Sequence, residues 1–240
     1  MGNESGEWII YGLRENDPAR LRTVEELIGY VDEVGFLPLF RNEIPGFSAE
    51  EHTAAKYWWS GDEARDPWEW RRLAARSGRV AYGKFFDKKA GFVSLEWLPR
   101  LVNYRRDGYD FDARYDDGKA KDKERKLMEP FMDGSERFSY EAKALAGFGR
   151  GGEKNFEGTL TELQMQTYLA VKDFRPRRNK HGEPYGWNIA VYATPETLWG
   201  AELVTSAYGE EPEESRRAVY EHIRALWPKA GEMDIKKLMR

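Results

Sequence analysis

Phe156, Leu160 and Leu163 recur at positions i, i+4 and i+7, and the extended apolar run Tyr168-Leu-Ala-Val171 follows almost at once. The first spacing puts three apolar side chains on one face of a helix, and the second suits a strand. Two shorter helical patterns precede them. One covers Lys121 to Met132, with Leu127, Met128 and Phe131 as its apolar face, and Asp133-Gly134 ends it. The other starts at Ser139, a good N-cap, and runs to Ala146. The glycine-rich stretch Gly147 to Gly152 then makes a turn before the helix from Asn155 to Gln166. After the strand, Asp173 to Pro184 reads as a long polar loop and Tyr185 to Tyr192 as the return strand. Three short helices followed by a hairpin with a basic tip is the order of a winged helix-turn-helix module.

In such modules the third helix enters the major groove and the hairpin tip touches the backbone or the minor groove. The expected DNA-binding residues are therefore Lys154, Asn155 and Thr161 near the third helix, with Arg175, Arg177, Arg178, Lys180 and His181 on the wing. Guanidinium and ammonium groups on a loop suit phosphate contacts. Against this, the formal net charge is −4, so attraction to DNA has to come from a local patch. Glu157 and Glu162 on the third helix oppose phosphates, which shifts the expected contact to the wing. The face of that helix opposite its apolar stripe carries Gly158, Thr161, Glu162 and Met165.

The N-terminal half is predicted to be rich in helices. Thr23 and Glu26 form a capping box, Leu27, Ile28, Val31 and Val34 supply a stripe, and Gly35 stops the helix. Phe36 to Phe40 reads as extended. Ser48 with Glu51 predicts a further helix to about Trp59, and Asp66-Pro67 starts another to Arg76. Arg79 to Phe86 and Gly91 to Leu95 are two strands around a polar turn, and a helix covers Trp97 to Tyr104. Helix, helix, hairpin is itself reminiscent of a winged helix.

The composition shift between Asp107 and Lys126 marks a boundary. The fold class is thus α+β, in three parts. Residues 1–115 form a helix and hairpin domain, 116–193 the winged helix-turn-helix domain, and 194–240 a helical extension. In the extension, Thr194 or Thr197 caps a helix through Leu198, Leu203 and Ala207. Pro212 starts another to Trp227, and Ile235 to Arg240 forms a final turn. Its helices are compatible with a packing role or with a homodimer.

The chain has no cysteine, which excludes disulfides, thiolate zinc sites and cysteine nucleophiles. The three histidines, His52, His181 and His222, are far apart and beside no carboxylate pattern, so surface positions and no metal site are expected. No cofactor is expected either. The glycine-rich stretch follows a helix and lacks a trailing lysine and hydroxyl residue, unlike a phosphate-binding loop. Met1 to Leu13 lacks a leader pattern, and no apolar run approaches the roughly 18 residues that span a bilayer. No membrane association and a cytoplasmic location are expected.

Several short stretches together resemble the AlkZ-related proteins, short bacterial relatives of the AlkZ/YcaQ group of winged-helix DNA glycosylases. They are Val31-Asp-Glu-Val-Gly-Phe36, Arg79-Val-Ala-Tyr-Gly-Lys84, Phe92-Val-Ser-Leu-Glu96 and Leu160-Thr-Glu-Leu-Gln164. The resemblance implies winged-helix architecture and a link to DNA. The larger glycosylases position water with a Gln-x-Gln or Gln-x-Asp motif. Gln164-Met-Gln166 has that form but sits in a different sequence context, so its catalytic role is not carried over.

Three functions stay open. The first is DNA binding in repair or regulation, without an assigned catalytic residue. The second is excision of alkylated bases, with Trp58, Trp59, Trp68 and Trp70 as pocket walls and Glu51, Glu63 or Glu69 as the acid. The same tryptophans also suit a plain core cluster. The third is a protein-interaction module that uses the fold as a scaffold.

Overall fold

A computed structural model describes residues 9–240; for residues 1–8 the reading of the leader region lies outside them. Helix α1 (Val24–Val34) starts as expected: the Thr23 side chain accepts the Glu26 N–H at 3.2 Å, and Glu26 answers by accepting from Arg22 N. Strand β1 (Phe36–Pro38), helix α2 (Pro67–Ser77) and strands β2 (Val80–Phe86) and β3 (Lys89–Ser94) complete the first unit. All three strands are antiparallel in the order β1-β3-β2. Asp66 caps α2 ahead of Pro67.

Helices α3 (Leu98–Arg106) and α4 (Phe111–Asp116) lead into the second unit. It contains α5 (Asp122–Met128), β4 (Arg137–Phe138), α6 (Ser139–Leu145), α7 (Phe156–Met165), β5 (Ala170–Arg178) and β6 (Pro184–Ala193). Its sheet has the order β4-β6-β5. The two sheets therefore share one arrangement, in which the last strand of each unit lies between the other two. The chain ends in α8 (Pro195–Trp199), α9 (Ala201–Val204), α10 (Pro212–Leu226) and α11 (Glu232–Leu238).

The expected mixture of helix and sheet is present, but four local expectations are corrected. Ser48 to Trp59 is not a helix; it holds only two 3-10 turns, at Glu50–His52 and Ala55–Tyr57. Ser48 Oγ does accept the Glu51 N–H at 3.3 Å, but the Glu51 carboxylate accepts from the Ser48 hydroxyl at 2.7 Å and not from its backbone N–H. Downstream, however, Thr53 is extended, and Thr53 and Ala54 bridge to Leu21 and Leu13. The Glu50 carboxylate accepts from Tyr11 N and Arg41 N, which ties the segment to distant chain instead of its own next turn.

The second correction concerns Asp173 to Pro184. Only residues 179–183 form a turn, because the ladder continues to Arg178 paired with Pro184. In the extension, the first helix breaks at Gly200, whose φ of +83° and ψ of 144° no helix accommodates. Finally, two of the three histidines are not surface residues. His52 is half-buried between Tyr30 Oη at 3.0 Å and the Gly46 carbonyl at 2.7 Å. His222 stacks on Trp97 at 4.0 Å and bonds to the Val34 carbonyl. Only His181 is exposed.

One apolar cluster joins Leu27, Trp70, Val80 and Phe92 of the first unit to Leu127, Leu163, Tyr168 and Tyr192 of the second. A second cluster packs the extension, through Val204, Val219, Ile223 and Leu238, onto Phe36, Phe85, Val93 and Leu101. Helix α7 rests on β2, and β2 on β5. That packing decides which surfaces remain open. Among the described residues no helix is long and apolar enough to cross a membrane.

Candidate nucleic-acid interface

The outer half of the β5–β6 hairpin is exposed on both strands. Arg177 faces Tyr185 and Arg178 faces Pro184 across the ladder, and every residue from 177 to 188 is exposed. Asn179 organises the tip. Its side-chain oxygen accepts from His181 N at 2.8 Å and Glu183 N at 3.1 Å, while its backbone N–H donates to the Glu183 carbonyl at 2.9 Å. Such an Asx turn holds the tip without apolar packing.

The expected wing cations fall into two groups. Arg175, at the base, is held 2.9 Å from both Asp173 and Glu136. Burial works against its charge, and these two carboxylates outweigh that, so its pKa sits above the ordinary arginine value. Arg177 lies over the Tyr140 ring of α6 at 4.6 Å, and Arg178 donates to the Gly182 carbonyl at 2.6 Å. Among the described residues, Arg177, Arg178, Lys180 and His181 have no carboxylate within ion-pair distance. Their charge faces solvent.

The third helix, α7, is differently placed. Thr161 and Met165, expected opposite the apolar stripe, are buried: Thr161 is 8% exposed and accepts from Lys84 Nζ at 3.1 Å. Met165 Sδ accepts from Lys88 N on the β2–β3 turn. The hairpin of the first unit thus covers the face that the sequence pattern leaves open. Lys154 and Asn155 stay exposed at the start of the helix. A cleft there is lined by Lys84, Lys88, Lys121, Lys123 and Asn155, and by three acids, Glu124, Glu157 and Glu162. None of these four lysines forms an ion pair among the described residues.

The tryptophan-rich segment divides between the two expected roles. Trp58 and Trp70 are buried in the core. Trp59 and Trp68 instead line a cleft of about 410 Å3, together with Arg71, Phe174, Trp187 and Asn188. The Arg71 guanidinium lies 3.5 Å from the Trp68 ring centre and 4.2 Å from that of Phe174. Of the three candidate acids, only Glu69 borders this cleft, and Arg72 holds it at 3.2 Å. Glu63 pairs with the same arginine, and Glu51 faces Ser48 and Gly46 elsewhere.

Gln164 is buried, and both ends of its amide are engaged. Its oxygen accepts from Lys84 N at 3.1 Å, and its nitrogen donates to the Leu160 carbonyl at 3.2 Å. Those bonds link α7 to β2. No three potential metal ligands converge among the described residues. Sequence reasoning missed Arg71, Phe174 and Trp187, since nothing in the order of residues tells an exposed strand tryptophan from a core one. It also missed Lys84, Lys88, Lys121 and Lys123, whose shared cleft spans both units.

The class so defined is a mixed α+β protein with two small antiparallel sheets and a projecting basic hairpin. A family model described as AlkZ related matches residues 21–240, and the chain belongs to that family. No curated protein and no solved structure matches it.

Proposed function

We propose that this protein is a cytoplasmic DNA-binding protein that grips duplex phosphates with the β5–β6 hairpin. The observation that carries the reading is that Arg177 and Arg178 on the paired ladder, and Lys180 in its turn, form no ion pair with a described carboxylate, while Arg175 is neutralised at the base. Most other exposed arginines of the chain are tied into ion pairs, so the hairpin concentrates charge that the net −4 does not predict. The order helix, strand, helices, strand, strand, with the last strand central, is compatible with two winged helix-turn-helix units, the second spanning about residues 116–193 and followed by the extension from 194. Membership of the AlkZ-related family supports a role beside DNA repair or regulation.

On this reading the hairpin, and not the third helix, makes the first contact. Thr161 acts as a packing residue, whereas Asn155 borders the lysine-bearing cleft and Lys154 stays exposed beside it. The test is binding to a labelled duplex over a salt series. For B-DNA the slope of log affinity against log salt is about −0.9 per neutralised phosphate. Replacing Arg177, Arg178 and Lys180 by alanine together is expected to flatten that slope by about 2 to 3. No binding at low salt, or an unchanged slope in the triple variant, overturns the proposal.

A further inference from the structure

We infer that the cleft between Trp59, Trp68 and Trp187 receives a single unpaired nucleobase of the DNA held by the hairpin. The inference rests on the hairpin being the DNA contact. Trp187 is the starting point: its side chain is 92% exposed on β6. A tryptophan buries 150 to 250 Å2 when it packs, and this one gives that up. The backbone arranges it so. Gly186, immediately before it, has φ +73°, and the ladder register shifts between Arg175 and Arg177 on the opposing strand. The irregularity turns the ring away from the sheet.

Across the cleft, Trp59 sits in the left-handed region at φ +60°, which is costly for an aromatic residue. The fully buried Asp66 carboxylate holds it there. It accepts from Trp59 N at 3.1 Å, Gly61 N at 2.9 Å and Trp68 N at 2.9 Å. Two indoles from different units are thus presented to one space, and one of them is kept in a strained conformation by a buried charge.

The rest of the lining selects the occupant. Arg71 is clamped between Trp68 and Phe174, which orients a planar cation in advance. Asn188 supplies both a donor and an acceptor, and Glu69 an acceptor. A nucleobase has two π-faces and a polar edge, which is the complement of aromatic walls around a few polar groups. An apolar peptide would desolvate the Arg71 guanidinium, which forms no ion pair with a described carboxylate.

Position points the same way. Phe174 and Arg178 are four residues apart on one strand, about 13 Å along it. That is close to four phosphate steps at about 3.4 Å per step. Phosphates seated at the tip would bring a nearby base of the same strand to the cleft. A base within an intact duplex stays stacked, so the cleft favours one that is already unpaired.

Three DNAs separate the outcomes: an intact duplex, the same duplex with one extra unpaired nucleotide, and that duplex with an abasic residue at the extra position. The protein is expected to bind the unpaired-base duplex about tenfold more tightly than the other two, in line with stacking on aromatic side chains. In Trp187→Ala the tenfold preference should vanish. Trp187 is exposed, so this change spares the fold; Asn188→Ala should reduce the preference in part. Equal binding to all three DNAs, with salt dependence still set by Arg177, Arg178 and Lys180, overturns the base site but leaves the hairpin reading standing. Binding to none of them overturns both. A preference that survives Trp187→Ala, or a self-association that this variant abolishes, also overturns the proposal, the latter because a second copy would then cover the ring.

Discussion

The carboxylate of Asp173 on β5 lies 3.1 Å from Arg76 Nε at the end of α2, joining residues 97 positions apart. Asp173 is buried while Arg76 is half-exposed. The same carboxylate also holds Arg175 and caps Phe174 N. One buried acid therefore fixes the base of the hairpin to the first unit.

The two partners should respond unequally to removal. Asp173→Ala deletes three charge-assisted bonds and is expected to cost about 2 kcal/mol. Arg76→Ala leaves Asp173 paired with Arg175 and removes a group that water already reaches, so about 0.5 kcal/mol is expected. Urea denaturation midpoints, with the denaturant slope held constant, decide between them. A larger loss from Arg76→Ala would show that the pair does not work through the buried acid.

Gln164 has the position of a tie between units, not of a water-positioning group. Gln164→Leu nearly keeps its volume but leaves the Lys84 N–H without its acceptor. A loss of about 1 to 3 kcal/mol is expected. At a temperature where the variant is fully folded, its affinity for duplex DNA should match the parent. Loss of binding or of any base-release activity in folded Gln164→Leu would point instead to a direct role.

The tyrosines set an alkaline limit. Burial, with the charge of Glu33, raises Tyr30 to about 12. Burial also raises Tyr168, Tyr192 and Tyr220; the Glu157 charge adds to the effect at Tyr192 and the Tyr104 hydrogen bond at Tyr220. A raised folded pKa means that the fold prefers the neutral phenol. This contribution is complete below the unfolded value of about 10 and is lost as the pH rises through the folded values. Stability should therefore be level on this account up to about pH 10 and fall between about pH 10 and 12. Phenolate absorbance in the folded protein would disprove this if all tyrosines titrated together near the ordinary value.

Features whose causes are local were readable in advance. Thr23 with Glu26, and Asp66 with Pro67, begin helices because their bonds are made within four residues. The β2–β3 hairpin was legible from two apolar runs around a polar turn. Ser48 and Glu51 show where the same logic fails. Their local bonds form, but Glu50 and Thr53 are committed to Tyr11, Arg41 and Leu21, and the helix does not follow.

The outer part of the β5–β6 hairpin reads as a loop in the sequence for a related reason. Both its faces are wet, so no alternation of apolar and polar residues marks it. Its pairing is made by backbone groups that every residue shares. An aromatic residue in a strand normally marks a core, and at Trp187 only the register shift beside it turns the ring outward.

By itself, the sequence determined the basic tip, the helix starts and the mixed α+β class, because each depends on neighbours along the chain. The tertiary structure alone decided that the third helix lies under the first unit's hairpin, with Thr161 and Gln164 consumed in holding it. It also decided that Trp59, Trp68 and Trp187 line one cleft. Those outcomes depend on packing between segments about 80 to 130 residues apart, where surface complementarity replaces sequence spacing as the determining quantity.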